Sequence, residues 1–524
     1  MASKVGVAVA LLFLLASIAV LISVSVVQVH KAAYSSPGLK KEVIGREDEE
    51  TCGRGKHQIC RERSSEVYPG TWYVCSSLSV QYGIVLDAGS SRTTIYLYQW
   101  PAEKENNTGV VNETMKCRVE GPGISSLGQN PAQDEASWSS MKMCMAEIMD
   151  KIPSSQQNTT PLFLGATAGM RLLRQKNNTA SDKILQDMRE YLQRLPLSFQ
   201  NASIISGEEE GLYGWITANY LKGNLIERNL WNAWVRPGGA ETVGSLDLGG
   251  ASTQIAFSVP SEEVPGDPRP DGFVEVWLYG YEYNVYTHSF TCYGKDEAEK
   301  KVLASLVQVC SGYSITLSAE YIFGTPCNEK PKNYNPKQEI TFVGTGDPVL
   351  CRATVRTMFD LTSCQGLSNC SFNGVYQPPV SGSFMLKEMY PKKNEKYLRT
   401  YCYSSNLVYT LLVDGYGFSP QTWNNIRFQN RITKCFLLNM AAAVIRSRFS
   451  MTYVFPLFHS QINNNSIAWP LGYMLTLSNK IPAQAKLLQL PMDNSVFAGL
   501  LFMFSALAIL SVMFLIISVV RACY

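Results

Sequence analysis

Charge is sparse in this chain and close to balanced. Only 17% of its 524 residues are charged, 46 Lys and Arg stand against 43 Asp and Glu, and the formal net charge is +3. No basic stripe breaks the balance, which argues against nucleic acid as a partner. A GxxxxGK[ST] run is missing, so a P-loop is excluded as the carrier of any phosphate chemistry. None of the 14 cysteines stands in a pair of CxxC motifs or a His-containing zinc spacing. Thirteen of those cysteines lie between two long uncharged runs, which suits a disulfide-permissive compartment.

The uncharged runs are residues 5–29 and 496–520, each long enough to cross a hydrocarbon core about 30 Å thick. The first exceeds the apolar stretch of about 7–15 residues of a cleaved signal peptide, and no small-residue cleavage site closes it. The second is longer than the tail of a lipid-anchor signal. Flanking charge does not orient the spans, so the intervening segment must. It holds Asn-x-Ser/Thr sequons at Asn106, Asn112, Asn158, Asn177, Asn201, Asn369 and Asn464. The expected order is a cytosolic N-terminus at 1–4, a transmembrane helix at 5–29, a charged stalk or inserted segment at 30–81, a glycosylated extracellular domain at 82–495, a second transmembrane helix at 496–520 and a cytosolic tail at 521–524. That places the chain in the plasma membrane with two spans, and homo-oligomers through those spans are open to it.

Within 82–495 one grammar recurs. GIVLD and then TTIYLYQW read as two strands of a hairpin, and PLFLGATAG and SLDLGGASTQIAF repeat an apolar strand followed by a Gly-rich turn. Helical patterns intervene at Ser181–Leu195 and Gly207–Leu221. Alternating strands and helices predict an α/β fold of two lobes. LDAGSS from Leu86 and LDLGGAS from Leu246 each put an Asp at a strand end before small residues. Glycines let consecutive backbone N–H groups close on a phosphate oxygen, hydroxyls add donors, and an Asp suits a hard cation. One such loop alone reads as an ordinary hairpin turn. Two loops in the same context, with the Gly-Ala-Thr-Ala-Gly turn between them, shift the weight to phosphate chemistry.

Five segments carry a more specific resemblance: IVLDAGSSRTTIYLYQW from Ile84, FLGATAGMRLL from Phe163, SGEEEGLYGWITANYL from Ser206, SLDLGGASTQIAF from Ser245 and SIAWPLGYML from Ser466. Together they resemble the ecto-nucleoside triphosphate diphosphohydrolases, the cell-surface apyrases, within the actin, hexokinase and Hsp70 fold. The resemblance implies hydrolysis of extracellular nucleoside tri- and diphosphates with a Ca²⁺ or Mg²⁺ ion and an activated water. It makes Glu210 the catalytic base, with Thr167, Ser252 and Gln254 positioning the water. Ser90, Ser91, Arg92, Gly249, Gly250 and Ala251 would hold the phosphates, Asp87 and Asp247 the cation through its water shell, and Lys295 would stand near the nucleobase. Disulfides Cys117–Cys144, Cys292–Cys327, Cys310–Cys351 and Cys364–Cys370 are implied in the same way.

Other readings stay open at this point. On residue type alone, Glu208–Glu210 fits a solvated helix N-terminus, and Trp215 and Trp469 fit core packing. A catalytically silent nucleotide-binding glycoprotein of the same fold is the main alternative. It is suggested by an extra charged segment at Lys41–Gln81, an omission between Phe384 and Tyr401, and an apolar insertion at Arg431–Ser460. The omission would leave Cys402 unpaired or bonded to a newcomer such as Cys435. A transporter is disfavoured because Arg446 and Arg448 cut that insertion into pieces too short to span.

Overall fold

The structure is a computed structural model. It describes residues 14–18, 20–21, 80–102, 104, 108–228, 234–237, 241–266, 270–307, 313–344, 347–366, 369–388, 401–423, 425–427, 461–462, 465–481 and 494–523. The chain divides into two compact units: residues 79–225 with 236–483, and residues 1–78 with 226–235 and 484–524.

The first unit is mixed α/β and holds two sheets. The strands expected around Leu86 form as β1 (Val80–Ala88) and β2 (Thr93–Pro101), an antiparallel pair in which Asp87 faces Thr94. β3 (Asn112–Arg118) extends the meander. Helix α1 (Pro131–Asp150) follows, with proline in its first turn, where a missing N–H costs nothing. β4 (Pro161–Ala166) then lies parallel to β1, with Asp87 beside Gly165. α2 (Ala168–Lys176) and α3 (Asn178–Gln193) lead to β5 (Ser198–Ile204), parallel to β4. The expected helix 181–195 begins three residues earlier because the Asn177 side chain accepts from Ala180 N and caps it. It stops short of Leu195 because Pro196 disfavours helical geometry in the residue before it. The sheet runs β3-β2-β1-β4-β5.

α4 (Gly207–Leu221) carries the chain to the second sheet. A reciprocal capping box of Ser206 and Glu209 starts it. β6 (Gly244–Leu248), β7 (Ser252–Ser258), β8 (Phe273–Leu278) and β9 (Tyr281–Thr291) pair antiparallel in the order β8-β9-β7-β6. α5 (Lys295–Leu306) follows, and β12 (Phe384–Glu388) and β13 (Ile426–Arg427) complete the sheet parallel to β6. Between α5 and β12 a hairpin of β10 (Tyr313–Ser318) and β11 (Glu339–Gly344) flanks α6 (Ala319–Phe323) and is followed by α7 (Pro348–Arg356), and α8 (Tyr401–Tyr409) lies between β12 and β13. Leaving β8 aside, both sheets place their third, second, first, fourth and fifth strands side by side in the same order. Asp87 and Asp247 are the penultimate residues of the two first strands.

Each sheet has its own apolar core. Ile84, Leu86, Leu162 and Leu164 pack against Met145 and Ile148 of α1 and Leu185 and Met188 of α3. Leu246, Ile255, Phe257, Phe384 and Leu386 pack with Tyr286, Phe290, Phe372 and Leu407. α9 (Trp469–Ser478), almost wholly apolar, packs against both α4 and β1, so a segment late in the chain closes the earlier half. Disulfides join Cys117 to Cys144, Cys292 to Cys327 and Cys364 to Cys370. Cys310 and Cys435 lie outside the described residues, as do nearly all of the stalk, the region of the omission and the apolar insertion.

In the second unit, α10 (Asn494–Cys523) contains Ala498–Ile517, with mean hydropathy 2.8, which is long and apolar enough to cross a membrane. Of the first uncharged run only residues 14–18 and 20–21 are described, and they are helical.

Candidate active site

A cleft of about 460 Å³ opens where the β1–β2 and β6–β7 turns meet. Asp87, Ser90, Ser91 and Arg92 line it from the first turn, and Asp247, Gly249, Gly250, Ala251 and Ser252 from the second. Thr167 and Glu210 complete the set brought together from the sequence. Gly250 shows how close the turns come. A Cβ there would stand 2.7 Å from Ser90 Oγ and 2.7 Å from Asp296 Oδ2, so any larger residue would have to push those side-chain ends aside. The second turn is fixed from behind, because the backbone N–H groups of Lys295 and Asp296 donate to the carbonyls of Gly249 and Gly250 at 2.8 Å each.

The three acids of α4's first turn separate into three roles. Glu209 is the exposed capping acid, its carboxylate accepting from Ser206 N at 2.8 Å. The backbone carbonyl of Glu208 accepts from Thr287 Oγ1 at 3.0 Å. Glu210 turns into the cleft, with its side chain only 11% exposed. Its Oε2 accepts from Arg171 Nη2 at 2.9 Å and from Gln254 Nε2 at 3.2 Å. Burial pushes the Glu210 carboxyl up to about 7; Arg171 opposes that rise, while the charges of Asp247 and Asp87 add to it. A carboxyl titrating there accepts a proton effectively at neutral pH.

Behind Glu210 the polar groups form a chain. Gln254 Nε2 also donates to Ser252 Oγ at 2.7 Å and to Ser289 Oγ at 2.9 Å, and Arg171 Nη2 reaches Ser252 Oγ at 3.2 Å. Gln254 is 1% exposed, and its Oε1 has no hydrogen-bond partner among the described residues. A buried amide oxygen without a donor is costly.

Comparison with known proteins agrees with this chemistry. Residues 74–390 and 382–490 match the GDA1/CD39 (nucleoside phosphatase) family. The chain belongs to that family. Ectonucleoside triphosphate diphosphohydrolase 3 of Homo sapiens is 41% identical over 558 residues, covering 97% of this chain and 91% of that protein. The Mus musculus protein of the same name is 43% identical over 488 residues, covering 83% and 85%. Ectonucleoside triphosphate diphosphohydrolase 1 of Rattus norvegicus is 36% identical over 479 residues, covering 82% and 86%.

Against this nucleoside phosphatase background, several polar residues are new to the site. Arg171 lies inside the FLGATAGMRLL segment, four residues after Thr167, and its place in the first turn of a helix opening on the cleft was the available signal. Ser289 had none, because alternation along β9 says only that Ser289 and Thr287 share a face. We expect Ser289→Ala to lower kcat about tenfold with KM for ATP little changed, since it removes one hydrogen bond from the amide that faces Glu210. Steady-state kinetics would check it, and a KM effect alone would count against it.

Trp469 proves to be both core and site. It is 2% exposed, and its Nε1 donates to Asp87 Oδ1 at 2.8 Å. Room for the indole comes from Gly165, the neighbour of Asp87 across the sheet, where any Cβ would run into the ring. Trp469→Phe keeps an aromatic ring, loses the donor and leaves part of the space beside Gly165 unfilled. The expected result is about a tenfold rise in the cation concentration giving half-maximal activity, a charge-assisted hydrogen bond being worth about 1.5–3 kcal/mol. A cation titration measures it. Trp215, by contrast, is wholly buried and packs edge-on against Tyr283. Lys295 does not line the cleft; its backbone supports the second turn.

The sequon residues Asn112, Asn158, Asn177, Asn201 and Asn369 are exposed, whereas Asn106 and Asn464 lie outside the described residues.

Proposed function

We propose that the chain hydrolyses nucleoside tri- and diphosphates at the terminal phosphoanhydride, with the reaction centred where Glu210 faces Asp87, Asp247 and the two turns. The observation that carries this reading is the buried Glu210 carboxyl, raised to about 7, at the wall of a cleft flanked by two Gly-Ser turns. The repeated strand order supports a fold of the actin, hexokinase and Hsp70 kind. The names of the relatives supply the substrate class.

Ser90, Ser91 and the amides of Gly249, Gly250 and Ala251 hold the terminal phosphates. Glu210 takes the proton of the attacking water, and Thr167, Ser252 and Gln254 orient it. Water oxygen bonds to the terminal phosphorus, the bond to the bridging oxygen breaks, and that oxygen leaves with the nucleotide. Among the described residues no three His, Cys, Asp or Glu side chains cluster tightly enough to cage a metal. Two facing aspartates suit a Ca²⁺ or Mg²⁺ ion that keeps much of its water. When bound, that ion supplies charge neutralisation on the phosphates.

The catalytic domain reads as residues 82–495, extracellular and anchored by α10 and by the apolar run at 5–29. Phosphate release from ATP and ADP by membranes carrying the chain, with and without EDTA, tests the whole reading. Release that is absent, or that persists in EDTA, overturns it and favours the silent binder.

A further inference from the structure

Strand β3 carries one residue too many. Leu97 of β2 pairs with Met115, yet its neighbour Tyr98 pairs with Glu113, so Thr114 bulges out of the ladder. A bulge re-aims the side chains next to it. Tyr96 and Tyr98 stack on one face of β2, and their partners Lys116 and Glu113 therefore share that face of β3. Met115, beyond the bulge, packs on the apolar core of the first sheet instead.

The Glu113 side chain is only 5% exposed. A carboxylate so placed is costly unless its oxygens meet donors. Both do, and both donors belong to Ser466: the backbone N–H donates to Oε2 at 2.8 Å and the hydroxyl to Oε1 at 3.0 Å. Lys116 Nζ donates to the same hydroxyl at 2.8 Å and lies 3.8 Å from Glu113. Ser466 stands three residues before Trp469, whose indole meets Asp87. On the other side the segment is held by the buried Thr217 of α4, whose Oγ1 donates to the Ala468 carbonyl at 3.0 Å and accepts from Gly472 N at 2.8 Å. Residues 466–472 are thus gripped at both ends, by β3 and by α4, with Trp469 between the grips. A hydrogen bond weakens steeply when its donor is misaligned, so the indole depends on both. Glu113 itself does not line the cleft.

We infer that Glu113 is a positioning residue for Asp87: by clamping Ser466 it sets the angle at which the Trp469 indole meets that carboxylate, and through it the demand for cation. This rests on the proposed function, in which Asp87 organises the cation. The bulge of β3 then serves the reaction without contributing a group to the reacting atoms.

The test compares Glu113→Ala, Trp469→Phe and the double variant of the full-length chain, purified in detergent, in cation titrations of ATP hydrolysis. Glu113→Ala alone is expected to raise the half-maximal cation concentration about fivefold, a part of the indole's own contribution. In the Trp469→Phe background the same substitution should change it by less than about twofold, because its effect passes through the indole. A full rise in both backgrounds, or no rise in either, overturns the proposal. A second measurement does not use turnover. In protein made with fluorotryptophan, the fluorine resonance missing from Trp469→Phe belongs to Trp469. It should shift in Asp87→Asn and in Glu113→Gln, which keeps the size of the side chain and one acceptor, and stay in place in Lys183→Gln on the exposed side of α3. A Trp469 resonance unmoved in Glu113→Gln overturns the proposal. If Trp469→Phe leaves the cation titration unchanged, the cation role of Asp87 fails, and the fluorine resonance alone decides whether Glu113 sets the indole.

Discussion

Glu210→Gln is expected to lower kcat for ATP about 10²–10⁴-fold, the usual contribution of a positioned general base. The amide keeps the size of the side chain and can still meet Gln254, but it accepts no proton. Folding provides the control. A carboxyl raised from its ordinary range to about 7 by burial favours the native state while protonated. That contribution is complete below the unfolded value and is lost as pH rises through about 7. At pH 8 wild type therefore lacks on the order of 3 kcal/mol that the variant does not forfeit, offset by the weakened pair with Arg171. The variant should melt no lower than wild type at pH 8. In wild type, kcat/KM should fall about tenfold per unit as pH drops below the Glu210 value. Retention of half the activity by the variant, or a flat acid limb in wild type, rejects the base assignment.

Asp247→Asn should be nearly as damaging, about 10²–10³-fold, because it removes one of the two charges proposed to organise a cation where negative charge develops. It carries a second signature. Asp247 is the stronger of the two aspartates raising Glu210, so its neutralisation moves the acid limb of the remaining activity to lower pH. Asp87→Asn should do the same more weakly. A cation titration and a pH–rate profile on each variant check both effects. An unchanged titration and rate would remove the aspartates from the mechanism.

The sequence made the turns legible because their chemistry is local: an Asp at a strand end followed by glycine and serine announces itself in a handful of residues. Glu210 was legible only in its motif, since three adjacent acids at a helix start look alike until tertiary packing sends one into the cleft and leaves another to cap. Ser289, Lys116 and Arg118 were not legible as site residues. Their parts depend on which strands lie side by side, and alternation alone does not reveal that. Trp469 shows the limit of reading by residue type. Packing was correctly anticipated, but its hydrogen bond to a carboxylate 382 positions away could not be.

That last separation bears on how the protein is made. The first turn emerges early in synthesis, yet the residue that orients its aspartate follows hundreds of residues later. Chain growth of about 5–20 residues per second puts tens of seconds between the two. Throughout that interval the earlier half can form its own sheet and core, but its aspartate lacks the indole N–H. Catalytic competence should therefore arise as a late step of biosynthesis, after the segment around Trp469 has docked, and nascent chains released before that point should be able to fold in part without turning over nucleotide.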